Sequence, residues 1–358
     1  MKKVNRRRAT VVAVVAAVMT AFAVSAGGAT ASPARTSAKT TNTITIGVAG
    51  IPPFWYGFRT YLAADSSFGF YRKAGVNVEI KPFATGEDSV RAVVAGQIDA
   101  AWADSGLGMI LISKGTPLVG IEGMDKMDYV LATKDPSITG CSSIKGTTVV
   151  VEAIGSSRYH ALQSMLKKAC NMSINDVKVV AMASGQLQAA LSGQVQMGVF
   201  HLNDLATAND QGQPLHVLIR IGQTDPLVSY DILWTKRDTL AQKRSDFVKV
   251  IKGDVLASRY MYKPKNFDTV AKFTSVTGAN LNVGAFALRE FLKLGYWPLN
   301  RSGLGSGTII HTMAENVQFG NIVPSAAPTY KQIVDTSVWK AAWKQLAPKK
   351  ATPPKKKK

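Results

Sequence analysis

The sequence of 358 residues has only two cysteines, four histidines and 23 acidic residues against 43 basic ones, and its scarcities narrow the chemistry open to it. His160, His201, His216 and His311 are scattered, without the spacing of a zinc site, and no metal or other cofactor is expected. No Gly-x-Ser-x-Gly elbow occurs. Ser156 and His160 lie four apart on one expected helix, but no third group is visible to orient the imidazole. The stretch GLGSGT, Gly303 to Thr308, lacks the lysine of a phosphate-binding loop. Nucleic acid is a poor partner, because no aromatic and basic pattern runs through the body of the chain.

What is present begins with an export signal. Residues 1 to 31 carry a basic start, an apolar run from Ala9 to Ala26 and the small residues Ala29, Thr30 and Ala31, the layout of a secretory signal peptide cleaved near Ala31. An uncleaved anchor is the rival reading, since 18 mostly small apolar residues only just span a bilayer. Arg6, Arg7 and Arg8 also permit twin-arginine export. No cysteine follows the apolar run to accept a lipid. The expected location is outside the cytoplasm: periplasm, cell surface or medium.

Five positive charges in that leader and six lysines in the tail (Lys349, Lys350 and Lys355 to Lys358) leave about +9 of the net +20 on the body. The tail, residues 346 to 358, has proline and lysine but no apolar face and reads as solvated. It would act either as a tether to an anionic cell envelope or as a plain solubilising end. In an oxidising compartment Cys141 and Cys170 read as a disulfide, because the strand GTTVVVEA and the helix returning from it bring both to one edge of a sheet. Two unpaired thiols are the alternative.

With 46% hydrophobic residues the body can bury a large core. TITIGVAG (Thr43 to Gly50), VNVEIKPF (Val76 to Phe83) and QIDAAWA alternate as strands, with helix-length intervals between them. The order recurs as GTTVVVEA, helix 157 to 170, DVKVVAM, helix 185 to 192 and VQMGVF. After SYDILWTKRD the chain turns helical, from about Thr239 to Phe273 and from Val283 to Leu294. VRAVVAGQIDAAWADSG and LQAALSGQVQMGVFHLND are two copies of one helix, Gly-Gln and strand unit. Strands alternating with helices predict α/β lobes with mostly parallel sheets, two of them built on one plan.

Four motifs in order resemble a known family. FGFYRKAGVNVEI, AGQIDAAWAD, SSIKGTTVVVEAIGSSRYHAL and SGQVQMGVFHLND are similar to the signatures of the ABC-transporter substrate-binding proteins of the nitrate, sulfonate, taurine and thiamine-pyrimidine group. Gln196 departs from that pattern, which has Asp there. The resemblance implies the two-lobed type II periplasmic-binding-protein fold, with residues 42 to 128 plus 238 to 345 in one lobe and 129 to 237 in the other. DYVLATK and SYDILWTK would cross between them as a hinge. It further implies a monomer that is not an enzyme, traps a small molecule and delivers it to a membrane permease. The alternatives are an enzyme on the same fold acting on a small heterocycle, against which the Cys- and His-rich iron motif of the related pyrimidine synthase is missing, and an envelope-binding protein with a vestigial cleft.

In such folds ligands sit beyond the carboxyl ends of strands, against helix N-termini that favour anions. The first lobe then offers Pro53, Phe54, Trp55 and Tyr56, next Thr85, Gly86 and Glu87, and last Asp104 and Ser105. The second offers Gly155, Ser156, Ser157 and Arg158, then Ser184 and Gly185, then His201 and Asn203. Three successive aromatics would stack on a ligand or pack between lobes. Asp104 and Glu87 would be helix caps, or would meet an amine on a zwitterionic solute. Positive charge and helix N-termini together favour an anion, a sulfonate or an aromatic carboxylate stacked on Trp55.

Overall fold

A computed structural model describes residues 43–346 except Asp125; the leader and all but the first residue of the lysine tail lie outside the described residues. Ten strands form two five-stranded sheets. In the first, the order is β2 (Asn77–Phe83), β1 (Thr43–Ala49), β3 (Ala100–Asp104), β10 (Asp231–Lys236) and β4 (Leu118–Gly123). In the second it is β7 (Lys178–Ala181), β6 (Thr148–Val151), β8 (Met197–Phe200), β5 (Val130–Thr133) and β9 (His216–Arg220). The two orders are congruent, with β10 in one sheet where β5 stands in the other. Each sheet is mixed. β1 pairs in parallel with β2 and β3 while β10 runs antiparallel to β3 and β4. Likewise β6 is parallel to β7 and β8, and β5 antiparallel to β8 and β9.

The antiparallel members are the strands by which the chain crosses between lobes. It leaves the first sheet after β4, crosses at 124–129 and enters the second as β5; it returns at 221–230 and re-enters the first as β10. This corrects the expected boundary, because Asp231–Lys236, placed in the second lobe by the 129 to 237 assignment, is an inner strand of the first sheet. β4 carries no alternation because it is buried along its whole length. The two crossings run side by side, with Tyr230 N donating to Met124 O at 2.9 Å and the hydroxyls of Tyr129 and Tyr230 3.2 Å apart.

The internal repeat extends to hydrogen bonds. In the first lobe Asp99 Oδ2 accepts from Thr45 N at 2.9 Å, Asp99 N donates to Thr45 Oγ1 at 2.9 Å, and Thr235 Oγ1 donates to Asp99 O at 2.7 Å. In the second, Gln196 Oε1 accepts from Thr148 N at 3.0 Å, Gln196 N donates to Thr148 Oγ1 at 3.0 Å, and Thr133 Oγ1 donates to Gln196 O at 2.6 Å. Gln196 therefore supplies the acceptor expected of Asp. The charge has its own partner in the first copy, where Lys243 Nζ lies 2.7 Å from Asp99 Oδ1.

Helices cover the sheets. Phe58–Ala64, Gly86–Val94 and Ser105–Ser113 follow β1, β2 and β3, and Ser157–Cys170, Gln186–Leu191 and Leu202–Asp210 follow β6, β7 and β8. The expected helical run after residue 239 is Arg237–Met261, kinked at Lys243, and Phe267–Phe273, with Pro264 opening the short turn between them. Leu281–Leu294, Ser306–Gln318 and Ser337–Leu346 complete the helical layer. No described helix is long and apolar enough to cross a membrane. Cys141 and Cys170 are bonded, joining the start of the short Cys141–Ile144 helix to the end of Ser157–Cys170 across a separation of 29 residues.

Candidate functional site

The pocket between the lobes forms where the carboxyl ends of β1, β2, β3 and β6 meet the start of β10. Its cavity holds about 20 Å³, room for about one water molecule with the lobes in contact. Tyr56, Thr85, Gly86, Glu87, Asp104 and Asp231 line it from the first lobe, and Glu152, Ser156 and Ser157 from the second, with Tyr129 of the first crossing between them. Four carboxylates line it and no lysine, arginine or histidine does.

Local sequence places these groups. Thr85 caps Gly86–Val94, its Oγ1 accepting from Asp88 N at 3.1 Å, and Ser156 caps Ser157–Cys170, its Oγ accepting from Tyr159 N at 3.3 Å. Asp104 caps Ser105–Ser113, Oδ1 accepting from Leu107 N at 2.7 Å. The same oxygen meets His160 Nδ1 of the other lobe at 2.5 Å. That approach needs a glycine beside it, since a Cβ at Gly106 would lie 2.8 Å from His160 Nδ1. Further links cross the cleft: Ser157 Oγ donates to Asp231 Oδ1 at 2.7 Å, and Gly86 N donates to Glu152 Oε1 at 3.3 Å. The lobes touch through polar groups that a closed trap brings together.

Burial governs the charges. It pushes the Asp231 carboxyl well above the usual carboxylate range; the Ser157 hydroxyl opposes this, while Asp104, Glu152 and Asp128 add to it. Burial also raises Glu152, with Arg158, the Gly86 N–H and His201 opposing and Asp104 reinforcing. It raises the phenols of Tyr56, Tyr129 and Tyr230, which therefore stay neutral. Burial works against the Arg158 charge, but Asp204, Tyr129 and Glu152 outweigh it.

Of the nominated residues, Tyr56, Thr85, Gly86, Glu87, Asp104, Ser156 and Ser157 line the pocket. Trp55 does not: it is buried in the core, its ring 5.1 Å from Phe291 and 5.5 Å from Phe58, so the expected stacking on Trp55 is corrected. Phe54, half-buried, lies 5.9 Å below the Arg158 guanidinium and packs across the lobes. Arg158 is committed to Val199 O at 2.6 Å and Asp204 Oδ2 at 3.4 Å. Ser105 Oγ donates to Ser229 O at 3.0 Å and holds the returning crossing. His201 Nδ1 lies 2.8 Å from Asp128 Oδ1 and its ring packs on Tyr129, while Asn203 Nδ2 donates to Asp204 Oδ1. Gly155, Ser184 and Gly185 are absent from the lining; Ser184 and Gly185 are exposed.

Glu152 and Asp231 were missed. The first sits one step past β6, where strand-end logic reaches; the second is an acid in an otherwise apolar stretch, SYDILW. The third group thought missing beside Ser156 and His160 is Asp104, yet Ser156 Oγ turns to backbone N–H groups and His160 Nε2 is buried without a partner, so no serine and base are joined.

A second charged cluster ties the lobes away from the pocket. Lys168 Nζ lies 2.8 Å from both Asp225 Oδ2 and Glu315 Oε1, His311 Nε2 lies 2.7 Å from Asp225 Oδ1, and Ser164 Oγ donates to Asp225 Oδ2 at 2.7 Å. Asp225, His311 and Glu315 place donor atoms within 4.8 Å of one another, but the cation among them is the chain's own lysine. Asp225 is held low, by its hydrogen bonds to Glu315, Lys168 and Ser164 against burial, and burial with Asp225 beside it pushes Glu315 up to about 7.

Comparison with known proteins fits this architecture. The family model described as NMT1/THI5 like matches residues 58–266, and the chain belongs to that family. A protein of Brucella abortus (strain 2308), named as a candidate binding protein, is 22% identical over 296 residues, 82% of this chain and 91% of that one. The periplasmic nitrate-binding protein of Synechocystis PCC 6803 superposes with a TM-score of 0.70 at 13% identity, covering 86% of this chain and 89% of its own. The alkanesulfonate-binding protein of Xanthomonas axonopodis pv. citri, solved with MOPS bound, gives 0.65 at 15%, covering 82% and 98%. The shared feature is the two-lobed periplasmic-binding-protein fold.

Proposed function

We propose that this chain is an exported, monomeric solute-binding protein that captures a small molecule between its lobes and delivers it to an ABC permease. The observation that supports the reading best is the small polar pocket at the strand ends, bridged by Ser157 to Asp231 and His160 to Asp104 across the lobes. Hinge closure at 124–129 and 221–230 would be driven by the ligand's preference for the closed state. The Brucella relative and the nitrate and alkanesulfonate neighbours are named for binding, and Ser156 and His160 are not joined as a serine and base in the pocket, which supports binding over catalysis. The carboxylate lining turns the expected solute away from sulfonates and aromatic carboxylates. The leader would export the protein, and the lysine tail would lend it charge toward an anionic envelope.

A thermal-shift screen of residues 32–348 tests the role, with alkyl sulfonates, nitrate, benzoate, pyrimidines and amines as the panel. A true ligand at 100 times its dissociation constant adds about 2.7 kcal/mol, or about 4 °C for a chain of this length. No shift from any class would overturn the binding role.

A further inference from the structure

We propose that the pocket selects a small organic cation with N–H donors, a primary ammonium, amidinium or guanidinium, held among Asp104, Glu152 and Asp231. The inference rests on the solute-binding reading and names its ligand class.

The chain as a whole is strongly basic, at +20, yet the pocket lining carries Glu87, Asp104, Glu152 and Asp231 and no basic side chain. Two of the helix N-termini at the pocket are already served by carboxylates. Asp104 caps Ser105–Ser113, and Glu152 reaches from the other lobe to Gly86 N at the start of Gly86–Val94. There the chain's own carboxylates occupy the places a sulfonate or nitrate would take, while the third, Ser157–Cys170, is capped by Ser156.

Each nearby basic side chain already has a partner. Arg158 bonds Val199 O and pairs with Asp204, His201 pairs with Asp128, and His160 engages Oδ1 of Asp104. Glu87 is paired with Arg91 on the outer side. Three acids remain without a full counter-charge. Asp104 is 4% exposed and its Oδ2 is buried with no hydrogen-bond partner. Among the described residues, Asp231 accepts from Ser157 Oγ and Glu152 accepts the long bond from Gly86 N. A ligand with two or more N–H groups and a positive charge supplies what these oxygens lack. Tyr56 adds a hydroxyl whose oxygen already accepts from Ala49 N at 2.9 Å. An anion in the same space would find the Tyr56 and Ser156 hydroxyls as donors but no cation, and would face these carboxylates, which disfavours it by repulsion.

Proton accounting gives the proposal a signature that a merely structural cluster would not show. Burial pushes Asp231 and Glu152 up, with Asp104 adding to both and Glu152 adding to Asp231, so each holds its proton to a higher pH than a free carboxyl. A bound cation favours their ionised forms, so binding shifts proton release into the buffer.

The test is calorimetric titration of residues 32–348 with agmatine, ethylguanidinium and putrescine, and in parallel with methanesulfonate and nitrate, each in phosphate and in Tris at several pH values. The expected result is binding of at least one cation, with heats that differ between buffers and affinity rising from pH 5.5 to 8. Asp231→Asn and Glu152→Gln, which keep side-chain shape, should each weaken that binding by roughly tenfold or more while circular dichroism stays unchanged. Saturable binding of methanesulfonate or nitrate that either variant leaves intact or tightens overturns the cation assignment and leaves the solute-binding role standing. Absence of binding by every probe overturns both.

Discussion

Glu315 offers a sharp test of the charged cluster on the far side of the crossings. Its carboxyl shares Lys168 with Asp225, and Lys168 Nζ is 2.8 Å from an oxygen of each. One ammonium faces two acids, and the outcome is a Glu315 value of about 7 with Asp225 held low. The folded state thus binds a proton that the unfolded chain gives up near 4.5, the ordinary value. The stability this proton contributes is complete below about 4.5 and is lost as pH rises through 7. Between pH 6 and pH 8 the loss comes to about 1.3 kcal/mol, or about 2 °C in melting temperature for roughly 300 ordered residues. Asp225, whose window lies below 3.8, contributes nothing to that slope. Glu315→Gln keeps an acceptor for Lys168 and removes the titration. Melting curves of both proteins at pH 6, 7 and 8 should therefore converge on the variant's side as pH rises, by about 2 °C. A difference that stays constant across this range, or grows in favour of the wild-type chain, would refute the shared-proton account.

Replacing both Cys141 and Cys170 with serine frees a loop of 29 residues in the unfolded chain, a change worth about 3.5 kcal/mol and about 5 °C, read by calorimetry with and without reductant. A shift under 1 °C would mean the unfolded loop is already constrained. Trp55→Ala should cost about 3 to 5 kcal/mol through the cavity left beside Phe58 and Phe291. Trp55→Phe should leave ligand affinity within about twofold, because the ring belongs to the core. Affinity lost from Trp55→Phe at unchanged stability would put the ring back in the site.

Much of the fold was legible because periodicity carried it. β1 and the helix 157–170 begin and end within a residue of where alternation and the cap Ser156 place them. The Gly-Gln repeat marks a real structural copy, down to the reciprocal bonds of Thr45 with Asp99 and Thr148 with Gln196. The edge strands β4 and β9 escaped because β4 is buried on both faces and β9 carries three apolar residues in succession, Val217, Leu218 and Ile219, so neither alternates clearly. The site was half legible: residues at strand ends and helix caps were found, since local sequence fixes them. Its sign was not. The charge of a pocket depends on which side chains converge from distant segments, and Glu152, Asp231 and Asp104 are far apart in the chain. Net charge, an average over the whole surface, pointed the other way.

The disulfide lies wholly between the two crossings, with both cysteines in the segment that builds the second sheet. As a mechanical element it braces one jaw against itself and puts no strut across the joint. Oxidation should therefore make that jaw a stiffer lever without changing how far or how readily it swings, so reduction would soften the moving part and leave the swing itself intact.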